Sequence, residues 1–199
     1  MTLTSTDSLR SPCVEEPSDA VLIGDSLRRP ERFGAVFDRH YEAIHGYAVR
    51  RLGPGLADDI ASETFLIAFD RRTRYDLGQP DAAPWLYGIA SNLLSRHRRT
   101  EVRRYRALAR AGVDATVEGH GDGVARRVDA NAVRSRLAAA LAVLDRRDRE
   151  VLLLVAWAVL SLDETARALG IPAGTARSRL HRARTRTRRA LTDDPKGMR

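Results

Sequence analysis

Between Ser161 and Leu191 a helix has to start, stop and start again within a dozen residues, and few folds accommodate that. The segment reads "SLDETARALGIPAGTARSRLHRARTRTRRAL". Ser161 has the character of an N-cap, and Glu164 three residues on completes a capping box. Gly170 stands where the helix must end, at a position that takes a left-handed turn. Pro172 suits the opening of a second helix. Ala166 falls where the two helices would cross, and a larger side chain there would push them apart. Two short helices joined by a tight glycine turn form a helix-turn-helix.

On the second helix, steps of 100° bring Ala176, Leu180, Ala183, Thr187, Ala190 and Leu191 within roughly 60° of one line, a single packing stripe. Arg177, Arg179, Arg182, Arg184, Arg186, Arg188 and Arg189 fall outside it, with Ser178, His181 and Thr185 among them. Clustered arginines repel one another unless a polyanion neutralises them, and duplex DNA does so through its phosphates while offering guanine edges to bidentate Arg. The N-terminal part of such a helix enters the major groove. Arg177, Ser178, His181 and Arg182 are therefore expected near bases, and Thr175, Arg179 and Arg184 near phosphates. A solvated basic helix is the competing reading, and the registered turn in front of it favours DNA.

The charge distribution agrees. Net charge is +8, and residues 131–199 by themselves carry +8. With 43% apolar and 30% charged residues among 199, the chain can fold as one ordinary domain or two small ones. Cys13 is the single cysteine, so neither a disulfide framework nor a zinc cluster can be built from thiols. His40 and His45 are five apart and do not share a helix face as a metal pair would. No nucleophile–base pair, phosphate-cradling glycine loop or paired-carboxylate site is recognisable, so a non-enzyme without cofactor or metal is expected. The longest apolar run, residues 151–160, is shorter than the ~20 residues that cross a bilayer. No signal peptide is visible, and the expectation is a cytoplasmic protein without membrane insertion.

Helical periodicity recurs along the chain and sustained strand alternation is missing, so the fold class expected is all-α. Residues 1–30, rich in Ser, Asp and Pro, read as a disordered tail. Phe33, Phe37, Tyr41, Ile44, Ala48 and Leu52 mark a first amphipathic helix, ended by Gly53, Pro54 and Gly55. A second helix is expected from Asp58 to Arg72, then a loop, then a third helix from Pro84 with Trp85, Leu86, Ile89, Ala90 and Leu93 on its apolar face. Residues 107–130 have linker chemistry, with four glycines. In the second unit Val133, Leu137, Ala140, Leu141 and Leu144 form a stripe, and Trp157 reads as core. The organisation expected is a tail (1–30), a unit (31–106), a flexible linker (107–130), a second unit (131–192) and a short tail (193–199).

The first unit carries two further motifs. "LADDIASETFLIAF" sets Asp59 and Glu63 four apart on one helix face with Asp58 beside them, and "APWLYGIASNLLSRHRRTEVRR" sets an aromatic at a helix start and a basic run at its end. Together with the C-terminal motif, these resemble the extracytoplasmic-function group of bacterial sigma factors in the sigma-70 family. The resemblance rests on Asp58, Asp59, Glu63 and Phe65; on Trp85, Leu86, Ile89, Ala90 and Asn92; and on Gly174, Thr175, Ser178, Arg179, Leu180, Arg182, Ala183 and Arg184, in that order along the chain. It implies a sigma-two domain whose Asp58, Asp59, Glu63 and Phe65 dock on the β′ clamp helices of core RNA polymerase. That domain would also read and open the minus-ten promoter element. The loop 73–84 and Asn92 would supply a base pocket, Trp85 a stacking surface, and Arg96, Arg98, Arg99, Arg103 and Arg104 a strand track. It implies a sigma-four domain that reads the minus-thirty-five element and meets the β flap. It implies an anti-sigma partner, and a linker whose Asp114, Glu118 and Asp122 mimic nucleic acid. Ser62, Arg96 and Ala176 depart from the usual Gln, Asp or Asn, and Val. The alternative is a stand-alone helix-turn-helix regulator that binds duplex promoter DNA without polymerase.

Overall fold

The computed structural model describes residues 16–111 and 122–192, without the side chains of 122–130. The described residues form helices and turns and contain no strand, so the all-α class holds. The helices are α1 (Asp19–Ser26), α2 (Gly34–Leu52), α3 (Pro54–Arg71), α4 (Ala83–Arg96), α5 (Arg98–Ala111), α6 (Asp122–Val143), α7 (Arg146–Trp157), α8 (Leu162–Leu169) and α9 (Ala173–Thr192), with 3-10 turns at Pro30–Phe33 and Arg72–Arg74.

Gly53 ends α2 at φ 91°, a conformation that glycine takes without strain. Pro54 then occupies the first turn of α3, where its missing N–H costs nothing. The second helix therefore begins at Pro54 rather than Asp58, and it folds back on α2. Ile44, Tyr47, Ala48 and Leu52 of α2 pack with Ala57, Ile60, Ala61, Phe65 and Ala68 of α3 and with Leu86, Ile89, Ala90 and Leu93 of α4. The α2 stripe is rotated from the one expected. Val36 and Tyr47 are buried, while Phe37 is exposed and Tyr41 half-buried.

Three expected boundaries need correction. The disordered tail does not extend to residue 30, because α1 lies within it. Ser18 accepts the N–H of Val21 as N-cap, and Leu22 and Ile23 are buried in the core. A helix of eight residues is too short to display a sustained stripe in sequence. Residues 1–15, with Cys13, lie outside the described residues. The linker is shorter at both ends. α5 runs to Ala111, as Ala and Arg are good helix formers, and α6 begins at Asp122. Asp114 and Glu118 lie outside the described residues, as does the tail 193–199.

The two helical units pack against each other. α8 lies on α4 so closely that a Cβ on Gly88 would come 2.5 Å from the backbone oxygen of Ala168. Beneath, Arg51 of α2 donates to Glu101 of α5 (2.6 Å) and to both oxygens of Glu150 of α7 (2.5 and 2.9 Å). Arg149 of α7 donates to Glu101 (3.1 Å) and to the carbonyls of Leu141 and Leu144. Arg51, Glu101, Arg149 and Glu150 are 1%, 2%, 1% and 7% exposed. Burial alone would lower the Arg51 pKa, but Tyr47, Glu150 and Glu101 around it hold it well above its ordinary value. Such burial is tolerated because each charge is paired with an opposite one.

Candidate nucleic-acid interface

In the helix-turn-helix, the capping box is complete in both directions. The Ser161 N–H donates to Glu164 Oε2 (2.7 Å) and the Glu164 N–H donates to Ser161 Oγ (3.2 Å). These bonds hold the Glu164 carboxyl below its ordinary range. Gly170 is left-handed at φ 59°, and the Ile171 N–H closes back on the Ala166 carbonyl. Ala166 is buried, as its place at the crossing requires. On α9, Ala176, Leu180 and Ala183 are buried and Thr187, Ala190 and Leu191 half-buried, which is the expected stripe. Arg177, Ser178, His181 and Arg184 are exposed, and Thr175 and Arg179 half-exposed. Ser178 Oγ donates to the Gly174 carbonyl (2.9 Å).

Arg182 departs from the expectation of a base contact. Its Nε and Nη2 donate to the two oxygens of Asp148 (3.1 and 2.8 Å), and Arg186 lies 3.7 Å from the same carboxylate. Asp148 is buried on α7 and needs a counter-charge. Arg182 supplies it and braces α9 to α7.

In the first unit, the loop before α4 forms a cavity of about 230 Å³. It is lined by Arg74, Tyr75, Asp76, Gln79, Asp81, Pro84 and Trp85, with Arg167 of α8 at its edge. Tyr75 and Trp85 lie 5.0 Å apart between ring centroids. The Tyr75 hydroxyl donates to the Gln79 carbonyl (2.6 Å), and burial together with Asp19, Asp81 and Asp76 pushes its pKa up to about 12. Sequence reasoning found the loop and Trp85 but not Tyr75, whose ring pairs with Trp85 across the loop. Asn92 is exposed and does not line the cavity, which corrects its expected role; seven residues put it about 10 Å further along α4. Arg98, Arg99 and Arg103 are exposed on α5 and line a shallow groove with Val102 and Arg106. Arg96 is exposed and pairs with Glu63 at 3.3 Å. Arg104 turns away from that track, its guanidinium packed over Gly53.

On α3, Asp58, Asp59, Ser62 and Glu63 are exposed on one face. Asp58 meets His45 (3.1 Å) and the Tyr41 hydroxyl (3.4 Å). Phe65 is 4% exposed, so it is not a contact residue. It packs on Phe37 at 4.9 Å and anchors an aromatic shelf of Phe37, Tyr41 and His45 beside the acids. Asp19, His40 and Asp81 hold ligand-type atoms within 4.8 Å of one another. The oxygens of Asp19 are already bonded by Arg39, by His40 and by the Ala82 N–H, so the cluster ties α1 to α2 and to the start of α4. No helix among the described residues is long and apolar enough to cross a membrane.

Two family models match the chain. Sigma-70 region 2 matches residues 36–104, and sigma-70 region 4 matches residues 129–187. The RNA polymerase sigma factor NccH of Alcaligenes xylosoxydans xylosoxydans is 31% identical over 157 residues, 77% of this chain and 83% of that protein. The ECF RNA polymerase sigma factor SigW of Bacillus subtilis is 29% identical over 174 residues, covering 82% of this chain and 90% of that one. Among solved structures, CnrH in complex with the cytosolic domain of CnrY aligns at TM-score 0.61 with 24% identity, covering 88% of this chain and 98% of that chain. RpoE in complex with the anti-sigma factor NepR from Bartonella quintana aligns at TM-score 0.55 with 20% identity, covering 82% and 99%. At these identities the two structures speak for the fold alone.

Proposed function

The chain belongs to the extracytoplasmic-function group of the sigma-70 family, RNA polymerase subunits that direct initiation at promoters, and from that premise we propose how its residues divide the task. Asp58, Asp59 and Glu63 on α3 take a basic coiled coil of core polymerase, with the aromatic shelf beside them adding apolar contact. The cavity that Tyr75 and Trp85 help to line receives a base flipped from the minus-ten element, and Arg98, Arg99 and Arg103 track the displaced strand. α9 enters the major groove of the minus-thirty-five element. Arg177, Ser178 and His181 face base edges there, and Thr175, Arg179 and Arg184 face phosphates.

The observation that carries this reading is the co-occurrence of an exposed carboxylate face on α3 and an exposed arginine face on α9 in one chain. A stand-alone regulator needs the second and has no use for the first. The chain performs no covalent chemistry in this reading; binding energy shared with polymerase opens the strands. It acts in the cytoplasm, where polymerase is. A protein inhibitor of the anti-sigma kind belongs to the reading as well, by analogy with the partners of CnrH and of the Bartonella RpoE.

The test is in vitro transcription from a genomic library with core polymerase and this chain. Specific starts are expected only when both are present. The double variant Asp59→Lys, Glu63→Lys is expected to lose co-purification with core polymerase while its helix-turn-helix keeps its DNA affinity. Specific promoter binding by the pure chain at full strength would instead establish the stand-alone regulator.

A further inference from the structure

A cavity of about 400 Å³ lies where α2 and α5 of the first unit meet α6 and α7 of the second. It shares no lining residue with the surfaces assigned to polymerase and DNA, and its size is that of a small-molecule site. The floor is aliphatic, made by Val49, Leu108, Leu137, Ala138 and Leu141. Val49, Leu108 and Leu137 are only half-buried, so the packed helices leave apolar surface that a ligand would take out of water.

Three arginines from three helices stand around that floor: Arg50 on α2, Arg104 on α5 and Arg134 on α6. Arg51 and Arg149 nearby each hold a carboxylate. Among the described residues no carboxylate pairs with Arg50, Arg104 or Arg134. Arg50 makes one long bond to the Trp157 carbonyl (3.5 Å). Arg104 Nε is out of water and no acceptor among the described residues reaches it. Gly53, at φ 91°, leaves the space that this guanidinium fills, since a Cβ there would come within 2.8 Å of Arg104 Nη1. Three unneutralised cations beside an apolar floor repel one another, and an anionic head between them would both relieve the repulsion and accept their hydrogen bonds.

The body attached to that head is set by the floor. Trp157 already carries the Arg50 guanidinium over its ring at 5.9 Å, and the surface next to it is aliphatic. A nucleotide base wants open aromatic faces to stack on, whereas an alkyl chain wants the surface that is there. A carboxylate is the head that matches the planar fork of a guanidinium.

We propose that this cavity binds a single-chain fatty carboxylate, its alkyl chain on the aliphatic floor between the units and its carboxylate held by the arginines of the rim. The floor belongs to both units, so bound ligand stabilises the packed chain by mass action.

The test uses the full chain carrying Trp85→Phe, which leaves Trp157 as the single indole, and sodium dodecanoate below its micelle concentration. A saturable change in Trp157 emission at one ligand per chain is expected, with a rise in melting temperature. Dodecanol, with the same chain length and no charge, should bind at least about tenfold more weakly, and acetate, with the charge and no chain, should not compete. Arg134 is exposed, so Arg134→Gln leaves the fold intact and should weaken dodecanoate about tenfold, the worth of one charge-assisted hydrogen bond. Arg104→Gln should do the same per folded molecule. No saturable emission change, dodecanol binding as tightly as dodecanoate, or undiminished affinity in Arg134→Gln overturns the site. Each of these outcomes is read without polymerase or DNA, so failure here leaves the role in initiation untouched.

Discussion

Asp19 shows what a single residue can do that composition does not reveal. It is a carboxylate in a stretch of polar sequence, yet it is buried and joins three elements through Arg39, His40 and the Ala82 N–H. Burial would raise its pKa, but the hydrogen bonds from His40 and Ala82 and the nearby cations lower it from 3.8 to about 2. Its pKa is depressed in the folded state, so its contribution to stability is complete above about pH 4 and lost as pH falls toward 2. Asp19→Asn is expected to cost about 1.5–3 kcal/mol in urea unfolding at neutral pH and to flatten the acid limb between pH 4 and 2. Arg177 and Arg182 make a contrasting pair. Arg177 is free on α9, and its loss is expected to weaken promoter binding by about 1–3 kcal/mol with relaxed specificity at one base. Arg182 is spent on Asp148, so Arg182→Ala should lower the melting temperature and leave the base preference unchanged, as read by binding-site selection on folded protein.

Among the elements, the helix-turn-helix was the most legible because its signals are local. The capping box, the left-handed Gly170 and the buried Ala166 each follow from residues within ten positions of one another. Ser161→Ala is expected to cost about 1 kcal/mol and Gly170→Ala about 1–2 kcal/mol from the left-handed strain, both read in thermal melts. α3 was legible in its outward face and misread at Phe65. Its periodicity marks Phe65 as apolar, but which wall it meets depends on Phe37 and Tyr41 of α2. Phe65→Ala should therefore cost about 3–5 kcal/mol of stability rather than a polymerase contact. Equal core binding per folded molecule is the expected control. α1 escaped notice because its apolar residues form one short run, Ala20 to Ile23, of which only Leu22 and Ile23 are buried, and eight residues leave no room for a repeat.

For the whole molecule, the buried network of Arg51, Glu101, Arg149 and Glu150 ties the two helical units into one body. Parting the halves exposes those charges, so the wild-type chain is expected to unfold in one cooperative calorimetric transition and Gly88→Ala in two. The acidic face of α3 and the basic face of α9 lie outside this seam and stay exposed.

The amino-acid sequence by itself determined the all-α class, the helix-turn-helix and its packing stripe, and the carboxylate face near position 60. Each of these depends on spacing along one helix or across one turn. Only the tertiary structure decided that the two units close on each other, that Arg182 is a brace, that Asn92 stands off the cavity, and that four charged residues are core. An isolated charge on a helix reads as solvent-facing in any sequence, and becomes interior only when a helix from elsewhere in the chain brings its counter-charge and excludes the water.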